Sequence, residues 1–393
     1  MKFSCMKSEL AQAIQIAGRS IASKPQTPIM SGIFMYAHDD MLEIQATDYE
    51  IGVMLHIPAE IEAPGQAVVS GRYLQEVVRT LPEEEVSIAY EKSTNICTIA
   101  SGRSNFNLLS MKSEDYPQIR RIKEGKTFKV SSAVLGELIR RTIFACATNE
   151  TRPVFTGALL EVEGNNLSMA ATDVHRLALN KESIEEEQKG KESYIVPKRV
   201  LEEVRHVFGG EVPEDVTVKC TRSEMSFETE KVYLTSRLID GQFPDYRRVI
   251  PSEFGTRVTL KHSEFFAAVS RVGLIARASD YNIIKLIFNM GQVHISSDNP
   301  IVGKAEETVP AVIDGEDIKI ALNASYLIDV LKILNGENIV ISLNGTLKPA
   351  AVRDPEKRRF HLYHHAGSDE NLNRGEAWKK LSSKRIRSSS TSS

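Results

Sequence analysis

One pattern occurs three times in this chain, as Phe3-Ser-Cys-Met-Lys-Ser-Glu-Leu10, Phe128-Lys-Val-Ser-Ser-Ala-Val-Leu135 and Val258-Thr-Leu-Lys-His-Ser-Glu-Phe265. The copies begin 125 and 130 residues apart. Each starts with alternating residues, continues through a serine and leads into apolar residues at helical spacing. The pattern therefore predicts a short strand, a serine-bearing N-cap and a helix in every copy.

A second landmark recurs in step with the first, at Val68–Val78, Ile195–Val204 and Ile320–Leu331. Its copies lie 127 and 125 residues apart. Two landmarks with one shared period indicate three copies of a single folding unit. Repeated units of this size are typical of assemblies built by symmetry, such as a ring or an arc.

Each copy is expected to have two helices and a larger number of strands. The first helices should bury Leu10, Ile14, Ala17, Leu135, Leu138, Ile139, Ile143, Phe265, Val269, Val272 and Leu274. Strands are predicted at Lys2–Cys5, Ile33–Tyr36, Leu42–Ala46, Thr127–Val130, Ala158–Val162, Leu167–Ala171, Arg257–Leu260, Lys285–Phe288 and Val293–Ser297. This composition predicts an α+β fold in which two helices per domain pack on antiparallel sheet.

The size and composition are those of a globular protein with several domains. The 393 residues are 41% hydrophobic and 26% charged, which leaves room for three domains, each with its own core. No apolar run reaches the length of about 20 residues that spans a bilayer, and the first repeat begins too early for a signal peptide. Four scattered cysteines predict buried, reduced thiols in a cytosolic protein rather than a disulfide or metal framework.

Basic residues recur at comparable helix positions although the net charge is −3. They are Arg19, Lys24, Arg72, Arg79, Arg140, Arg141, Lys198, Arg199, Arg205, Arg271, Arg277 and Lys332. One interpretation is that they are ordinary solvated helix faces. The other is that a rotational arrangement of the copies gathers these charges on one surface, which would attract a DNA duplex in a sequence-independent, salt-dependent way.

Several motifs resemble the bacterial DNA polymerase III β subunit family, the sliding clamps, over residues 1 to about 355. The most specific is Ala171-Thr-Asp-Val-His-Arg-Leu-Ala178, followed by Asp240–Pro251, Ile195-Val-Pro-Lys198 and Ser101-Gly-Arg-Ser-Asn-Phe106. The resemblance implies three repeated clamp domains, at 1–124, 125–252 and 253–365, that form half of a six-domain ring.

The resemblance also implies a function and partners. Two chains would join head to tail around double-stranded DNA and act as a processivity factor, without enzymatic activity, metal or cofactor. Expected partners are the replicative polymerase α subunit, the clamp loader and other proteins with clamp-binding motifs. The expected location is the bacterial cytoplasm, in association with the nucleoid, with no membrane attachment.

The family's functional positions transfer to this sequence residue by residue. The implied DNA contacts are Lys24, Arg72, Arg141, Lys198, Arg199, Arg205, Arg277 and Tyr281. The implied pocket for partner peptides contains Arg152, Phe155, Thr172, His175, Arg176, Leu177, Pro244, Arg248, Val249, Asn323, Tyr326 and Pro349. The implied dimer interface contains Arg103, Phe106 and Ile275, although Phe106 and Ile275 could instead belong to domain cores.

Two other functional classes are alternatives to the clamp. Asp173 and His175 could supply a base or metal ligands, but no third ligand stands at workable spacing, and a structural turn explains Thr172-Asp173 better because Thr47-Asp48 occupies the equivalent place without a histidine. No phosphate-binding loop or paired-cysteine site accompanies them. A non-enzymatic scaffold for protein assembly is the remaining alternative.

Two segments depart from the regular pattern. Lys181–Ser193 is rich in charge and is expected to be a surface loop. Beyond the third repeat, the family's usual final strand and Pro-X-Arg ending are missing, and 366–393 is expected to be a disordered tail. This ending is either genuine or the product of a reading-frame shift near Lys357–Phe360. A genuine ending would weaken the last strand and remove one wall of the peptide pocket.

Overall fold

A computed structural model of the chain describes residues 1–22, 27–149, 151–279, 281–355 and 360–364, the last five as backbone only. These residues contain six α-helices and 23 strands. The helices are α1 Lys7–Gly18, α2 Gly71–Thr80, α3 Ser132–Thr142, α4 Lys198–Phe208, α5 His262–Ala276 and α6 Ala324–Leu331.

The strands follow the three repeats. In the first repeat they are β1 Lys2–Met6, β2 Gly32–His38, β3 Met41–Thr47, β4 Ile51–Pro58, β5 Glu60–Ala63, β6 Gly65–Ser70, β7 Glu85–Glu91, β8 Ile96–Ser101 and β9 Ser104–Met111. In the second they are β10 Lys126–Ser131, β11 Gly157–Thr172, β12 Arg176–Pro197, β13 Asp215–Cys220, β14 Glu224–Glu228 and β15 Val232–Arg237. In the third they are β16 Thr256–Lys261, β17 Ile283–Asn289, β18 Gln292–Asn299, β19 Gly303–Asp314, β20 Ile318–Asn323, β21 Asn338–Leu343, β22 Ala350–Arg353 and β23 Phe360–His364. Every predicted strand lies within one of these, which confirms the α+β prediction.

The described chain divides into two compact units, each built on one antiparallel sheet. The first unit contains Met1–Gly136 and Arg199–Leu238, and its strand order is β10-β13-β14-β15-β4-β3-β2-β6-β9-β8-β7-β1-β5. The second contains Glu137–Lys198 and the described residues from Ile239 onward, and its order is β11-β12-β23-β22-β21-β16-β19-β18-β17-β20.

Each unit contains a junction where strands of neighbouring repeats pair. In the first unit β4 pairs with β15, with Val53 opposite Leu234. In the second unit β12 pairs with β23, with Ala178 opposite Leu362. Strand β23 therefore forms at the place where the unusual ending was expected to weaken the last strand.

The first helix of each repeat begins with a main-chain hydrogen bond to a segment outside the helix. The N–H groups of Lys7, Ser132 and His262 donate to the carbonyls of Glu84, Glu214 and Glu337, at 2.6, 2.8 and 2.9 Å. For α1 and α5 the residue before the helix makes no side-chain cap hydrogen bond, so the serine prediction is wrong there. A carbonyl from a neighbouring segment satisfies the first exposed helix donor, and a local sequence pattern cannot reveal that.

The cores largely follow the predicted apolar spacing. Leu10, Ile14 and Phe265 are buried, as predicted. Leu274 is the exception, because its side chain is 61% exposed at the end of α5. All four cysteines are buried, as expected.

The segment 181–193 belongs to β12, so the loop prediction is wrong. Lys181 and Ser193 pair with Ser168 and Glu161 of β11, with irregular register near Gly164. The charged side chains are mostly exposed, because antiparallel sheet can have one face in water. Composition correctly indicated exposure but not backbone conformation.

Candidate functional site

The residues Thr172–Arg176 form a tight turn between β11 and β12. The Thr172 hydroxyl donates to the Arg176 carbonyl at 2.7 Å, and the Asp173 Oδ1 atom accepts from the N–H groups of His175 and Arg176, both at 3.0 Å. Val174 has a φ of +82°, which is unusual for a β-branched residue. These contacts support the structural interpretation of Thr172-Asp173.

The same turn occurs in the other two repeats. In the first repeat, Asp48 Oδ1 accepts from the N–H groups of Glu50 and Ile51, at 3.0 and 2.9 Å. In the third, Asn299 Oδ1 accepts from those of Ile301 and Val302, at 2.9 and 3.1 Å. The three turns are therefore equivalent parts of one repeated fold.

Arg176 connects the second turn to its surroundings. Its guanidinium donates to Asp173 Oδ2 at 3.0 Å, to Asp329 Oδ2 at 2.7 Å and to the Phe144 carbonyl at 2.8 Å. It also lies over the Tyr326 ring, 4.3 Å from the centroid, and is only 8% exposed. The resemblance implies that Arg176 is a pocket residue, but in the structure its guanidinium donates to acceptors within the chain.

The start of α6 provides the aromatic part of the site. Asn323 caps the helix, since its Oδ1 accepts from the Tyr326 N–H at 3.2 Å, while its Nδ2 donates to the Tyr281 carbonyl at 3.0 Å. The His175 ring stacks on Tyr326 with centroids 6.3 Å apart. Burial and the nearby Asp173 raise the pKa of Tyr326, so the phenol is neutral.

An apolar cluster adjoins this aromatic group. Phe155 and Leu177 are buried in it, Phe243 packs edge-on against Phe155 with centroids 6.0 Å apart, and Val174 and Val249 pack against it while half-buried. The predicted pocket residues Phe155, Leu177 and Val249 are thus brought together. Thr172 is buried beneath the turn.

The remaining predicted pocket residues are at least partly accessible. Arg248 is exposed and pairs with Asp245 at 3.1 Å, and Arg152, Pro244 and Pro349 are half-buried. We call the accessible surface of the predicted pocket set, including Val174, the candidate peptide site. It offers apolar and aromatic contacts beside polar groups, the composition typical of a site for a peptide with bulky anchors.

The predicted DNA contacts of the first unit lie on α2 and α4. Arg72 is exposed and pairs with Glu76 at 3.3 Å, Arg205 is exposed, and Arg199 bonds to Asp48 while half-exposed. The predicted contacts of the second unit are less uniform.

In the second unit, Arg277 and Tyr281 are exposed and Lys198 is half-buried. Arg141 is 6% exposed, and its Nε donates to Glu137 at 2.6 Å. Its burial removes Arg141 from the DNA contacts that we propose below. Lys24 lies outside the described residues.

The predicted interface residues lie at the surface. Phe106 is 37% exposed on β9 and Arg103 is exposed beside it, so Phe106 is not a core residue. Ile275 is half-buried and lines an open cavity of about 160 Å³ together with Tyr281 and Asn299.

Sequence reasoning missed three residues of these sites. Asp329 and the Phe144 carbonyl are acceptors for Arg176, and exposed Leu274 neighbours Ile275. The alignment of Leu274 with Arg19 was the available signal that the end of α5 differs in environment from the end of α1.

Among the described residues, no group of three His, Cys, Asp or Glu side chains is arranged to hold a metal. No helix in the same part of the chain is long and apolar enough to cross a membrane.

Comparison with known proteins identifies matches along the whole repeated region. Family models for the N-terminal, central and C-terminal domains of the DNA polymerase III beta subunit match residues 1–120, 129–245 and 247–365. The chain is 33% identical over 365 residues to the beta sliding clamp of Bacillus subtilis (strain 168), covering 90% of this chain and 96% of that relative.

Solved structures give the same result. The crystal structure of the DNA polymerase sliding clamp from Bacillus subtilis matches with a TM-score of 0.89 and 31% identity, covering 94% of this chain and 99% of that one. A sliding clamp from Pseudomonas aeruginosa bound to griselimycin matches with a TM-score of 0.89 and 27% identity, with coverage of 94% and 99%.

Proposed function

Because the chain belongs to the DNA polymerase III β subunit family, the bacterial sliding clamps, we propose that two copies join head to tail into a six-domain ring around double-stranded DNA. The chain is a sliding clamp, the processivity factor that tethers the replicative polymerase. Its domains are 1–124, 125–252 and 253–365, and it acts by binding, without catalysis of its own.

The main support for the ring is that the strand pairs of the two internal junctions, β4–β15 and β12–β23, have the same register. Following the strand ladders through the repeats makes Leu234 equivalent to both Leu362 and Phe106, and makes Val53 equivalent to both Ala178 and Lys304. Leu234 pairs with Val53, and Leu362 pairs with Ala178. The same register would place Phe106 of β9 opposite Lys304 of the partner subunit.

The strand edges that this pairing needs are available. In the described part of the chain, residues 104–109 of β9 pair only with β8, and residues 303–310 of β19 pair only with β18. Exposed strand edges of this kind are templates for another strand. In the predicted register, Arg103 lies opposite Glu307 of the partner subunit, a carboxylate that also pairs with Arg271 of its own chain.

Helix-borne cations give the ring its attraction for DNA. The proposed contacts are the cations Arg72, Lys198, Arg199, Arg205 and Arg277, together with the uncharged Tyr281 beyond the end of α5. Phosphates offer the same charge at every step of the duplex, so the attraction varies little as the ring moves. A closed ring stays on DNA by topology and therefore does not need tight contacts, which would slow its sliding.

The candidate peptide site is the proposed docking place for partners. These are the polymerase α subunit, the clamp loader and other proteins with clamp-binding motifs, and a partner peptide would insert bulky side chains among Val174, Val249 and Tyr326. This role supports a location in the bacterial cytoplasm, associated with the nucleoid.

The test is retention on DNA of different topology. The protein is loaded by its clamp loader onto nicked circular plasmid, half of the sample is linearised, and bound protein is measured after gel filtration. We expect retention on circles and loss from linear DNA, because a ring slides off free ends. Equal retention on both forms would contradict the clamp and favour an ordinary DNA binder.

A matched variant separates ring closure from partner binding. Phe106→Glu should prevent stable retention on circles while leaving the affinity for a clamp-binding peptide within about twofold, since Phe106 is distant in sequence and outside the peptide site. A variant that is retained like the wild type would exclude β9 from the interface.

A further inference from the structure

The two domain junctions inside the chain are each held by arginine–carboxylate pairs. In the first junction Arg199 of α4 bonds to Asp48 of the turn, and Arg19 at the end of α1 donates to Glu203 of α4 at 2.5 and 3.1 Å. The Asp48 and Glu203 side chains are largely buried. These pairs therefore join α4 to the repeat that precedes it.

The second junction also uses an arginine–carboxylate pair, but here the turn supplies the arginine and the helix supplies the carboxylate. Arg176 of the turn donates to Asp173 and, at 2.7 Å, to Asp329 of α6. The second helix of the third repeat is thus fixed to the turn of the second repeat. Both internal junctions follow one rule, in which a turn and a helix are linked by a charged pair.

The third repeat has uncharged residues at the equivalent positions. Asn299 occupies the place of Asp48 and Asp173, and its Oδ1 makes the same two turn hydrogen bonds. Leu274 occupies the place of Arg19, and Val302 that of Arg176. Leu274 and Val302 are 61% and 55% exposed, and neighbouring Ile301 is 90% exposed.

The helix that would cover this surface retains its charges. Helix α2 carries Arg72 and Glu76, which are equivalent to Arg199 and Glu203 of α4. In the chain described here these two residues are exposed and pair with each other at 3.3 Å. Glu76 therefore already accepts from Arg72 within the same helix, and both charges are solvated.

We infer that the junction between two chains, which rests on the ring proposed above, closes without the arginine–carboxylate pairs of the internal junctions, and that Asn299 and Leu274 set how readily the ring opens. At the positions of the internal pairs the third repeat's side of this junction has uncharged side chains instead, so α2 of a second copy can leave without separating a buried charge from its partner. Buried charge pairs across an interface mainly slow dissociation. Asp298 does not replace the missing carboxylate, because it is exposed and holds Lys304 at 3.0 Å.

The test restores the missing charge. Asn299→Asp should keep the turn, because aspartate makes the same hydrogen bonds at Asp48 and Asp173, and should give Arg72 of the partner subunit an acceptor. Subunit exchange is followed by native mass spectrometry after mixing unlabelled and ¹⁵N-labelled protein. We expect exchange at least about tenfold slower than in the wild type, with the wild-type rate restored by the added change Arg72→Gln.

A second variant and a control complete the test. Leu274→Arg, at an exposed position that tolerates the change, should slow exchange in the same way and lose the effect with Glu76→Gln. Asp298→Asn should leave the rate within about twofold. If both charge-restoring variants exchange as fast as the wild type while remaining dimeric, the inference is overturned and the ring stands. If the wild type is monomeric at all concentrations, the ring itself is overturned.

Discussion

Removal of the Arg176 guanidinium should destabilise the second unit more than any exposed arginine change would. Arg176→Ala deletes the hydrogen bonds to Asp173, Asp329 and the Phe144 carbonyl, and the stacking on Tyr326. The residue is buried, so its acceptors lose a donor that water replaces only in part. The variant therefore tests whether this residue is a structural connection or a peptide contact.

The size of the stability loss depends on the hydrogen bonds and solvent contact that each acceptor retains in Arg176→Ala. Breaking a buried ion pair by removing one partner costs about 3–5 kcal/mol. Asp173 retains its backbone donor from His175 and Asp329 is 38% exposed, so both remain partly solvated or bonded. The Phe144 carbonyl loses its guanidinium donor, at a cost of about 1 kcal/mol. We expect a total loss of about 2–3 kcal/mol, or roughly 5–10 °C in melting temperature.

Differential scanning calorimetry of the variant and a matched control measures this loss. Arg248→Ala removes an arginine from the same unit that is exposed and pairs with Asp245, and it should lower the melting temperature by no more than about 2 °C. A double-mutant cycle with Asp329→Ala should give a coupling energy of about 1–2 kcal/mol. If Arg176→Ala melts together with Arg248→Ala, our account of Arg176 is refuted.

Three further outcomes follow from the structure. Thr172→Val should cost about 1–3 kcal/mol in urea unfolding, because it removes a buried hydroxyl that bonds the turn in both directions, while Asp298→Ala at the equivalent exposed position should cost less than about 0.5 kcal/mol. The hydrogen bond from His56 lowers the pKa of Glu43. The stability difference between wild type and Glu43→Gln, measured by thermal melts across pH, should therefore persist above about pH 4.3 and disappear as the pH falls through the lowered pKa. A difference that grows on acidification would contradict this. Burial raises the pKa of Cys97 to about 12, so iodoacetamide at pH 8 should alkylate it about 1000-fold more slowly in the native than in the unfolded chain, as peptide mass spectrometry would detect.

The sequence predicted the elements whose causes are local. Alternating and helical spacing identified the strands and the buried faces of α1, α3 and most of α5, because those periods follow directly from backbone geometry. The serine caps of α1 and α5 and the loop at 181–193 were predicted wrongly, and Arg141, implied as a DNA contact, is buried. For α1 a distant partner, the Glu84 carbonyl, determined the outcome; residues 181–193 pair with the adjacent strand β11, and Arg141 is buried beside Glu137 four residues away. These outcomes depend on packing, which the local pattern does not record.

The candidate peptide site shows the same limit at the level of single residues. The family resemblance places Arg176 in the candidate peptide site, yet its guanidinium donates to Asp173, to Asp329 and to the Phe144 carbonyl. A sequence motif indicates that an arginine is required at this position, but it does not show which groups the arginine contacts. Only the positions of all its hydrogen-bond acceptors distinguish a binding residue from one that shapes the site.

Internal repetition supplies a form of comparison that one sequence otherwise lacks. The turns at Asp48, Asp173 and Asn299 have the same backbone hydrogen bonds, so the geometry is held constant while the side chain changes from carboxylate to amide. Where the turn has a carboxylate, the next repeat of the same chain binds either that carboxylate, as Arg199 binds Asp48, or the arginine beside it, as Asp329 binds Arg176. Where it is lost, the surface carries exposed apolar residues and two strand edges without partners in the described chain. The difference between covalently linked and separable junctions is therefore encoded in the third copy, and the exchange rates of Asn299→Asp and Leu274→Arg measure how much of ring opening depends on it.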